Sequence, residues 1–264
     1  MTDVNSAVAA PEPGATPRAT TQEQLAANLA SIHERIAAAC RRAGRDPAEV
    51  ELLPVSKTVP AEVLRSAYAA GARKLGENKV QEAREKAEEL SDLADLRWAV
   101  IGNLQTNKAK YVARFAHEFH ALDRLKVAEE LDRRLQREGR GLDVFVQVNS
   151  SGEASKFGLA PEDVPAFVAE LPAFTALRVR GLMTLALFSS DMDRVRPCFV
   201  TMRKLQARLR EEAPDGSSFD DLSMGMSGDF EVAIEEGATV VRVGQSIFGA
   251  RPLPDSHYWP GASR

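Results

Sequence analysis

The sequence has few cysteines, no excess of basic residues and no long apolar run. Its two cysteines, Cys40 and Cys198, are too few for a disulfide framework, so we expect free thiols and a reducing compartment, the cytoplasm. A net charge of −4 supplies no basic face for a nucleic acid. No apolar run approaches the roughly 20 residues that span a bilayer. The sequence therefore predicts a cytoplasmic protein without nucleic-acid or membrane partners.

The first 20 residues differ in composition from the rest of the chain. They are rich in Ala, Pro and Thr and have few large apolar side chains, so burial cannot offset the entropy lost on ordering. We predict a disordered tail over 1–20 and a single domain over 21–264. The apolar residues that follow recur at spacings of three and four, at Leu25, Leu29, Ile32 and Ile36. That spacing predicts an amphipathic helix ahead of the first strand.

Short apolar segments alternate with helical patterns along the remainder of the chain. The predicted strands lie within 52–58, 74–78, 96–101, 117–122, 142–148, 179–182, 220–224 and 239–243. Strands joined by crossover helices form a parallel sheet, and eight of them can close into a barrel. The sequence therefore predicts an α/β fold, a single (β/α)8 TIM barrel with an extra N-terminal helix. An open doubly wound sheet is the alternative.

Pro54 interrupts the first predicted strand. Proline has no N–H to donate to a neighbouring strand, and within sheets it is confined to edges, first positions and bulges. We therefore predict a bulge or an unpaired position at Pro54.

Polar residues stand where several predicted strands end. Lys57 ends the first, Asn78 the second and Asn103 follows the third, while Arg242 and Gly244 close the eighth. Active sites of such barrels are built at the C-terminal ends of the strands, so these residues should face one mouth. A lysine after a strand more often marks a solvated end. Within a ring of polar strand ends, however, Lys57 is a candidate for Schiff-base chemistry with an aldehyde.

Two turns of small residues follow the seventh and eighth predicted strands. Ser227 and Gly228 precede one short helix, and Gly244 and Gln245 precede a second helical turn. Taken singly, each glycine is explained as a turn residue and Ser227 as an N-cap. The loops after strands seven and eight of these barrels commonly bind phosphate, so the pair predicts a phosphate site. Together with Lys57, this suits a phosphorylated aldehyde, either pyridoxal 5′-phosphate or a phosphosugar.

Two histidines raise the question of a metal site. His117 and His120 have a spacing that suits one face of a helix. Their segment is predicted to be a strand, in which residues three apart point to opposite faces. We therefore predict no metal ligation by this pair.

Seven motifs occur in an order that resembles the pyridoxal phosphate homeostasis proteins, from about residue 25 to residue 251. The motifs are VSKT (55–58), GEN (76–78), IGNLQTNK (101–108), QVNSSGEASKFG (147–158), RGLM (180–183), LSMGMS (222–227) and VRVGQSIFGAR (241–251). Any one alone is weak evidence, but seven in the same order are specific. The resemblance implies a barrel like the N-terminal domain of alanine racemase. It also implies that the protein binds pyridoxal phosphate but has no established enzymatic turnover.

The same resemblance implies roles for individual residues. Lys57 matches the lysine of the family that forms the Schiff base, Arg242 matches the arginine beside the pyridine nitrogen, and Asn78 lies at a position that lines the cofactor. The positions that match phosphate contacts of the family are Ser227, Gly244 and Gln245. One departure is Ala99, which stands where the family usually has a histidine.

Three functions remain open at this point. The first is a non-catalytic carrier of pyridoxal phosphate that passes the cofactor to other proteins, possible acceptors being pyridoxal phosphate-dependent apoenzymes. The second is an amino-acid racemase or a related enzyme that uses pyridoxal phosphate. The third is a cofactor-free aldolase that forms a Schiff base with a phosphosugar. Arg242 beside the pyridine nitrogen favours the carrier, because a permanent cation disfavours protonation of the ring.

Overall fold

A computed structural model describes residues 18–153, 156–212 and 217–249. Eight parallel strands alternate with helices along the chain. The strands are β1 (Glu51–Pro54), β2 (Lys74–Glu77), β3 (Arg97–Val100), β4 (Glu118–Leu122), β5 (Leu142–Val148), β6 (Leu177–Thr184), β7 (Asp221–Ser223) and β8 (Val240–Val243). The cycles predicted from the sequence are therefore confirmed.

The helices of the described residues form the outer layer. They are α1 (Gln22–Arg42), α2 (Ala61–Ala69), α3 (Val80–Glu89), α4 (Ala109–Phe115), α5 (Leu125–Glu138), α6 (Val164–Glu170), α7 (Met192–Glu212), α8 (Phe230–Glu235) and α9 (Gln245–Phe248). No helix within the described ranges is both long and apolar enough to cross a bilayer. Both cysteines are free and buried, Cys40 on α1 and Cys198 on α7.

The sheet curls until its two ends meet. The strand order is β1-β8-β7-β6-β5-β4-β3-β2, and one parallel bridge between Val55 and Gly76 joins the tip of β1 to β2. Ser56 N donates to Gly76 O across this seam at 2.9 Å. The predicted (β/α)8 barrel is therefore confirmed, with the seam closed just before Lys57.

Pro54 forms no bulge. It pairs with Val243 of β8 without a register shift. Val55 N donates to Val243 O on the β8 side at 2.8 Å, and Ser56 N donates on the β2 side. Successive backbone amides of a strand point in opposite directions, so the Pro54 nitrogen faces β2. It lies one residue before Val55, where the pairing with β2 begins. Both predicted outcomes are therefore wrong, because the Pro54 nitrogen, which has no hydrogen to donate, faces away from β8 and leaves the pairing with Val243 intact.

Helix α1 begins at the predicted place and completes the outer layer. A capping box at Thr21 and Gln24 starts it, and its buried face contains the predicted apolar residues: Leu25, Leu29, Ile32 and Ile36. It packs against α8, α9 and α2, so this long helix fills the space beside the short α8.

The end of the predicted tail is ordered against the barrel. Ala19 is buried, and its N–H donates to Phe248 O at 3.3 Å. The prediction of disorder is therefore wrong for residues 18–20, because the small Ala19 fits against α9. The remainder of that prediction, over 1–17, lies outside the described residues.

A chain of polar side chains crosses the barrel interior. Arg242 Nη1 donates to Ser223 Oγ at 2.8 Å, and Ser223 Oγ lies 2.9 Å from His120 Nδ1. His120 Nε2 lies 2.9 Å from Glu118 Oε2, and Glu118 also pairs with Lys74. Burial lowers the pKa of His120, so the imidazole is neutral. Because an ionised carboxylate only accepts, the proton lies on Nε2, and Nδ1 accepts from the Ser223 hydroxyl.

Glu118 is the anionic part of this chain. Burial alone would raise the pKa of its carboxyl, but the hydrogen bond from His120 and the charge of Lys74 hold that pKa down to about 2. A carboxyl with a depressed pKa stabilises the fold while it is ionised. This stabilisation is fully present when the pH is above the ordinary carboxyl pKa of 4.5. It is lost as the pH falls towards the folded-state pKa.

We predict that Glu118→Gln lowers the free energy of unfolding by about 3 kcal/mol at neutral pH, because the ionised pair with Lys74 is lost. The difference from the wild type should shrink as the pH falls below about 4.5, where the unfolded carboxyl takes up a proton. Denaturant titrations across that pH range measure it. The exposed Glu129→Gln on α5 is the matched control, and a pH-independent difference at position 118 would contradict the assignment.

Candidate functional site

A cavity of about 550 Å³ opens at the C-terminal ends of the strands. Its volume is in the range of small-molecule binding sites. All of the site residues predicted from the sequence line it: Lys57, Asn78, Ser227, Arg242, Gly244 and Gln245. The structure thus brings together residues that are far apart in the sequence, as the strand-end argument predicts.

Lys57 lies on the wall of this cavity, directly after the seam that joins β1 to β2. The backbone on both sides of it is constrained. Ser56 is fully buried, and Thr58 has a φ of 64°, in the left-handed region that a β-branched residue seldom adopts. The direction of the Lys57 side chain therefore depends on contacts that hold this turn.

Asn78 follows β2 on the adjacent part of the wall. The loop after β3 packs tightly against it, because a Cβ on Gly102 would lie 2.2 Å from Asn78 O. Only glycine allows this approach of the two backbones. The glycine therefore places the tip of β2 beside the tip of β3 at the cavity.

Arg242 supplies a buried positive charge to the cavity. Arg242 is only 3% exposed. Its Nη2 donates to Thr184 O at 2.7 Å, and its Nη1 donates to Ser223 Oγ. Burial lowers the pKa of its guanidinium to about 10, and the nearby Asp229 opposes that shift. The group is therefore still protonated at neutral pH. Two fixed hydrogen bonds give this cation one orientation.

The loops after β7 and β8 are joined to each other. Gly244 N donates to Ser227 Oγ at 3.4 Å. Gly244 also lies close to β1, since a Cβ there would be 3.1 Å from Val55 O. Gly228 faces open space, because a Cβ on it would meet no atom within 4 Å. The two predicted turns therefore form one continuous part of the cavity wall, with room in front of it.

Two amides on the wall contain polar atoms without a protein partner. Gln147 is 4% exposed, and its Oε1 is buried and unpaired, as is Nδ2 of Asn103. Buried polar atoms are normally satisfied, so a ligand or water is expected at these two atoms. Gln147 is not among the site residues predicted from the sequence. Alternation along β5 is a signal that could have identified it, because residues two apart in a strand point to the same face. Phe145, two residues earlier, lies inside the barrel, with its ring centroid 4.1 Å from that of His120.

Two large aromatic side chains stand at the cavity mouth. Phe157 is 63% exposed and Phe188 is 54% exposed, and both line the cavity. Exposed phenylalanines beside a polar cavity are typical of surfaces that meet another molecule. The mouth is therefore apolar at its rim and charged at its floor.

Comparison with known proteins places the chain among proteins of related sequence. The model of the alanine racemase N-terminal domain matches residues 27–252. A pyridoxal phosphate homeostasis protein of Pseudomonas aeruginosa is 45% identical over 227 residues, which cover 86% of this chain and 96% of that protein. A protein of the same name from Escherichia coli is 41% identical over 232 residues, covering 86% and 97% of the two chains.

Solved structures agree with this grouping. The structure of PipY from Synechococcus elongatus with pyridoxal phosphate bound has a TM-score of 0.74 and 37% identity, and covers 85% of this chain and 100% of that one. Alanine racemase from Corynebacterium glutamicum has a TM-score of 0.63 with 16% identity, covering 90% of this chain and 64% of that one. The second similarity concerns the fold alone. The chain therefore belongs to the pyridoxal phosphate homeostasis protein family, which has the fold of the alanine racemase N-terminal domain.

Proposed function

We propose that this protein binds pyridoxal 5′-phosphate as a Schiff base on Lys57 and takes part in intracellular homeostasis and delivery of the cofactor without catalytic turnover. The observation that carries the proposal is that Lys57, the Arg242 cation and the joined loops after β7 and β8 line one cavity. The relative PipY, whose structure contains pyridoxal phosphate, supports the choice of ligand.

The described residues fit each part of this cofactor. Lys57 offers a primary amine to the aldehyde. The loop at Gly228 has open space in front of it, and Ser227 and Gly244 form the wall beside it, which suits the phosphate. Arg242 is available to the pyridine nitrogen, and Asn78 and Gln245 complete the wall. The unpaired amide atoms Gln147 Oε1 on β5 and Asn103 Nδ2 after β3 offer further polar contacts.

Arg242 decides what the bound cofactor can do. Pyridoxal phosphate supplies an aldehyde that condenses with amines and a ring that accepts electrons, most strongly when its nitrogen is protonated. Arg242 is held in place and charged, so it disfavours a second positive charge on that nitrogen. The site therefore suits reversible capture of the aldehyde by Lys57 better than stabilisation of a carbanion.

The wall across from Lys57 supports the same view. In the ring of strands, β5 lies opposite β1, and Gln147 at the end of β5 faces the cavity. An amide neither takes up nor releases a proton at neutral pH. A racemase needs an acid or base on each side of the bound substrate, and Gln147 does not supply one.

The surroundings of the cavity fit delivery of the cofactor. Phe157 and Phe188 are exposed at the mouth, where an acceptor could contact the protein. We propose pyridoxal phosphate-dependent apoenzymes as the acceptors. The free thiols of Cys40 and Cys198 fit a reducing compartment, for which we propose the cytoplasm.

We expect the wild-type protein mixed with pyridoxal phosphate to show the visible absorbance band of a Schiff base, and Lys57→Ala to lose it. The reason is that Lys57 is the proposed amine at the aldehyde. The matched control is Lys79→Ala, which removes another cavity lysine and should keep the band. An unchanged band in Lys57→Ala would refute the tether.

The phosphate assignment is tested by a charge at Ser227. We predict that Ser227→Asp weakens binding of pyridoxal phosphate by about tenfold or more, because a carboxylate there repels the phosphate. Fluorescence titration measures the dissociation constant. Ser227→Ala, which adds no charge, should have a smaller effect. Equal affinities for Ser227→Asp and the wild type would mean that the phosphate binds elsewhere.

The alternative function is a pyridoxal phosphate-dependent, racemase-like enzyme, and the alanine racemase fold favours it. Exchange of the α-hydrogen of alanine and other amino acids for deuterium, followed by mass spectrometry with the loaded protein, separates the two. We expect exchange no faster than with free cofactor. Exchange at typical enzyme rates of about 1 per second or more would establish the enzyme instead.

A further inference from the structure

A buried cluster of charges lies beneath the turn that contains Lys57. Lys86 Nζ is 2.7 Å from Glu77 Oε1, 2.7 Å from Glu82 Oε1 and 2.8 Å from Ser56 O. The Lys86 side chain is 9% exposed and that of Glu77 is fully buried. Each proton of the ammonium group can thus have an acceptor. The lysine belongs to the strongly charged helix α3, on whose buried face it lies with Val80 and Ala83.

The cluster holds the backbone on both sides of Lys57. On the preceding side, Ser56 O accepts from Lys86, and Ser56 Oγ donates to Glu77 Oε1 at 2.7 Å. On the following side, Thr58 N donates to Glu82 Oε1 at 2.6 Å. The residues before and after Lys57 are therefore both held by contacts to one group of charges.

The contact with Thr58 explains an unfavourable conformation. Thr58 has a φ of 64°, which is costly for a β-branched residue and persists only where its surroundings impose it. A hydrogen bond from its N–H to a carboxylate is a strong one. Glu82 therefore stabilises a turn that the chain would not adopt unaided.

The arrangement is not what stability alone would select. Glu77 Oε2 is buried without a partner, and burial raises the pKa of this carboxyl to about 6 in spite of Lys86. Buried ion clusters are often no more stable than apolar packing of the same volume. A cluster that reaches the main chain on both sides of one functional residue is better explained by the placement of that residue.

We propose that Glu82 and Lys86 are positioning residues that hold the turn at 56–58 in the conformation that directs the Lys57 amine into the cavity. The inference rests on the proposed function, because it takes Lys57 as the residue that captures the aldehyde. Glu82 and Lys86 act through Ser56 and Thr58. When the turn relaxes, only a fraction of molecules present the amine correctly, and the capture rate and the apparent affinity are both reduced to that fraction of their full values.

The test uses the cofactor-free protein mixed with pyridoxal phosphate, and it records the rate at which the Schiff-base band appears. We expect Glu82→Ala and Lys86→Met to slow this rate by about tenfold or more, as misplacement of a reacting group does. Glu82→Gln should react at nearly the wild-type rate, because its Oε1 can still accept from Thr58 and Lys86. The exposed Glu85→Ala on the same helix is the matched control.

Thermal unfolding of each cofactor-free variant separates positioning from folding. Glu82 is 26% exposed, so its variants should fold even if Lys86→Met does not. A folded Glu82→Ala that captures the aldehyde at the wild-type rate would overturn the inference and leave the proposed function standing. A wild-type protein that forms no band would overturn the proposed function and this inference with it.

Discussion

The seam between β1 and β2 is the constraint on which the site depends. The bridge from Val55 to Gly76, together with the hydrogen bond from Ser56 N to Gly76 O, closes the barrel. Lys57 follows one side of the seam and Asn78 follows the other. The seam therefore sets the spacing of two walls of the cavity, and the Lys86 cluster that spans it fixes the backbone beside Lys57. Closure of the barrel and the backbone conformation beside Lys57 therefore depend on the same residues.

The barrel interior adds a second constraint, which concerns charge. Arg242 brings a cation into the cavity floor, and the polar chain through Ser223 and His120 leads to the carboxylate of Glu118. A buried cation needs hydrogen-bond acceptors to remain charged and in one orientation. The interior supplies two of them, Ser223 Oγ and Thr184 O. The properties of the cavity therefore depend on residues at the opposite end of the barrel as well as on those at its mouth.

Much of this could be predicted from the sequence, because the relevant patterns are local. β5 was predicted at 142–148 and spans those residues, since its β-branched alternation is unambiguous. The six site residues were found because parallel strands end at one face of a barrel. Their proximity is thus a consequence of topology, and their roles as cofactor contacts remain a proposal.

What could not be predicted depends on partners from other elements. Lys86 lies on the buried face of α3 with Val80 and Ala83, but its acceptors belong partly to β1 and β2, which the helix pattern does not reveal. Every residue of β4 is buried, so alternation could not show that His120 points inward. The prediction for residues 18–20 was wrong because composition does not register the fit of one small residue against α9.

Capture of the aldehyde by Lys57 is the central claim, and covalent trapping tests it most directly. The protein is loaded with pyridoxal phosphate, reduced with borohydride, digested and mapped by mass spectrometry. We expect the reduced cofactor on the peptide that contains Lys57, at one site per chain. Label on Lys79 or on surface lysines, with Lys57 unmodified, would contradict the claim.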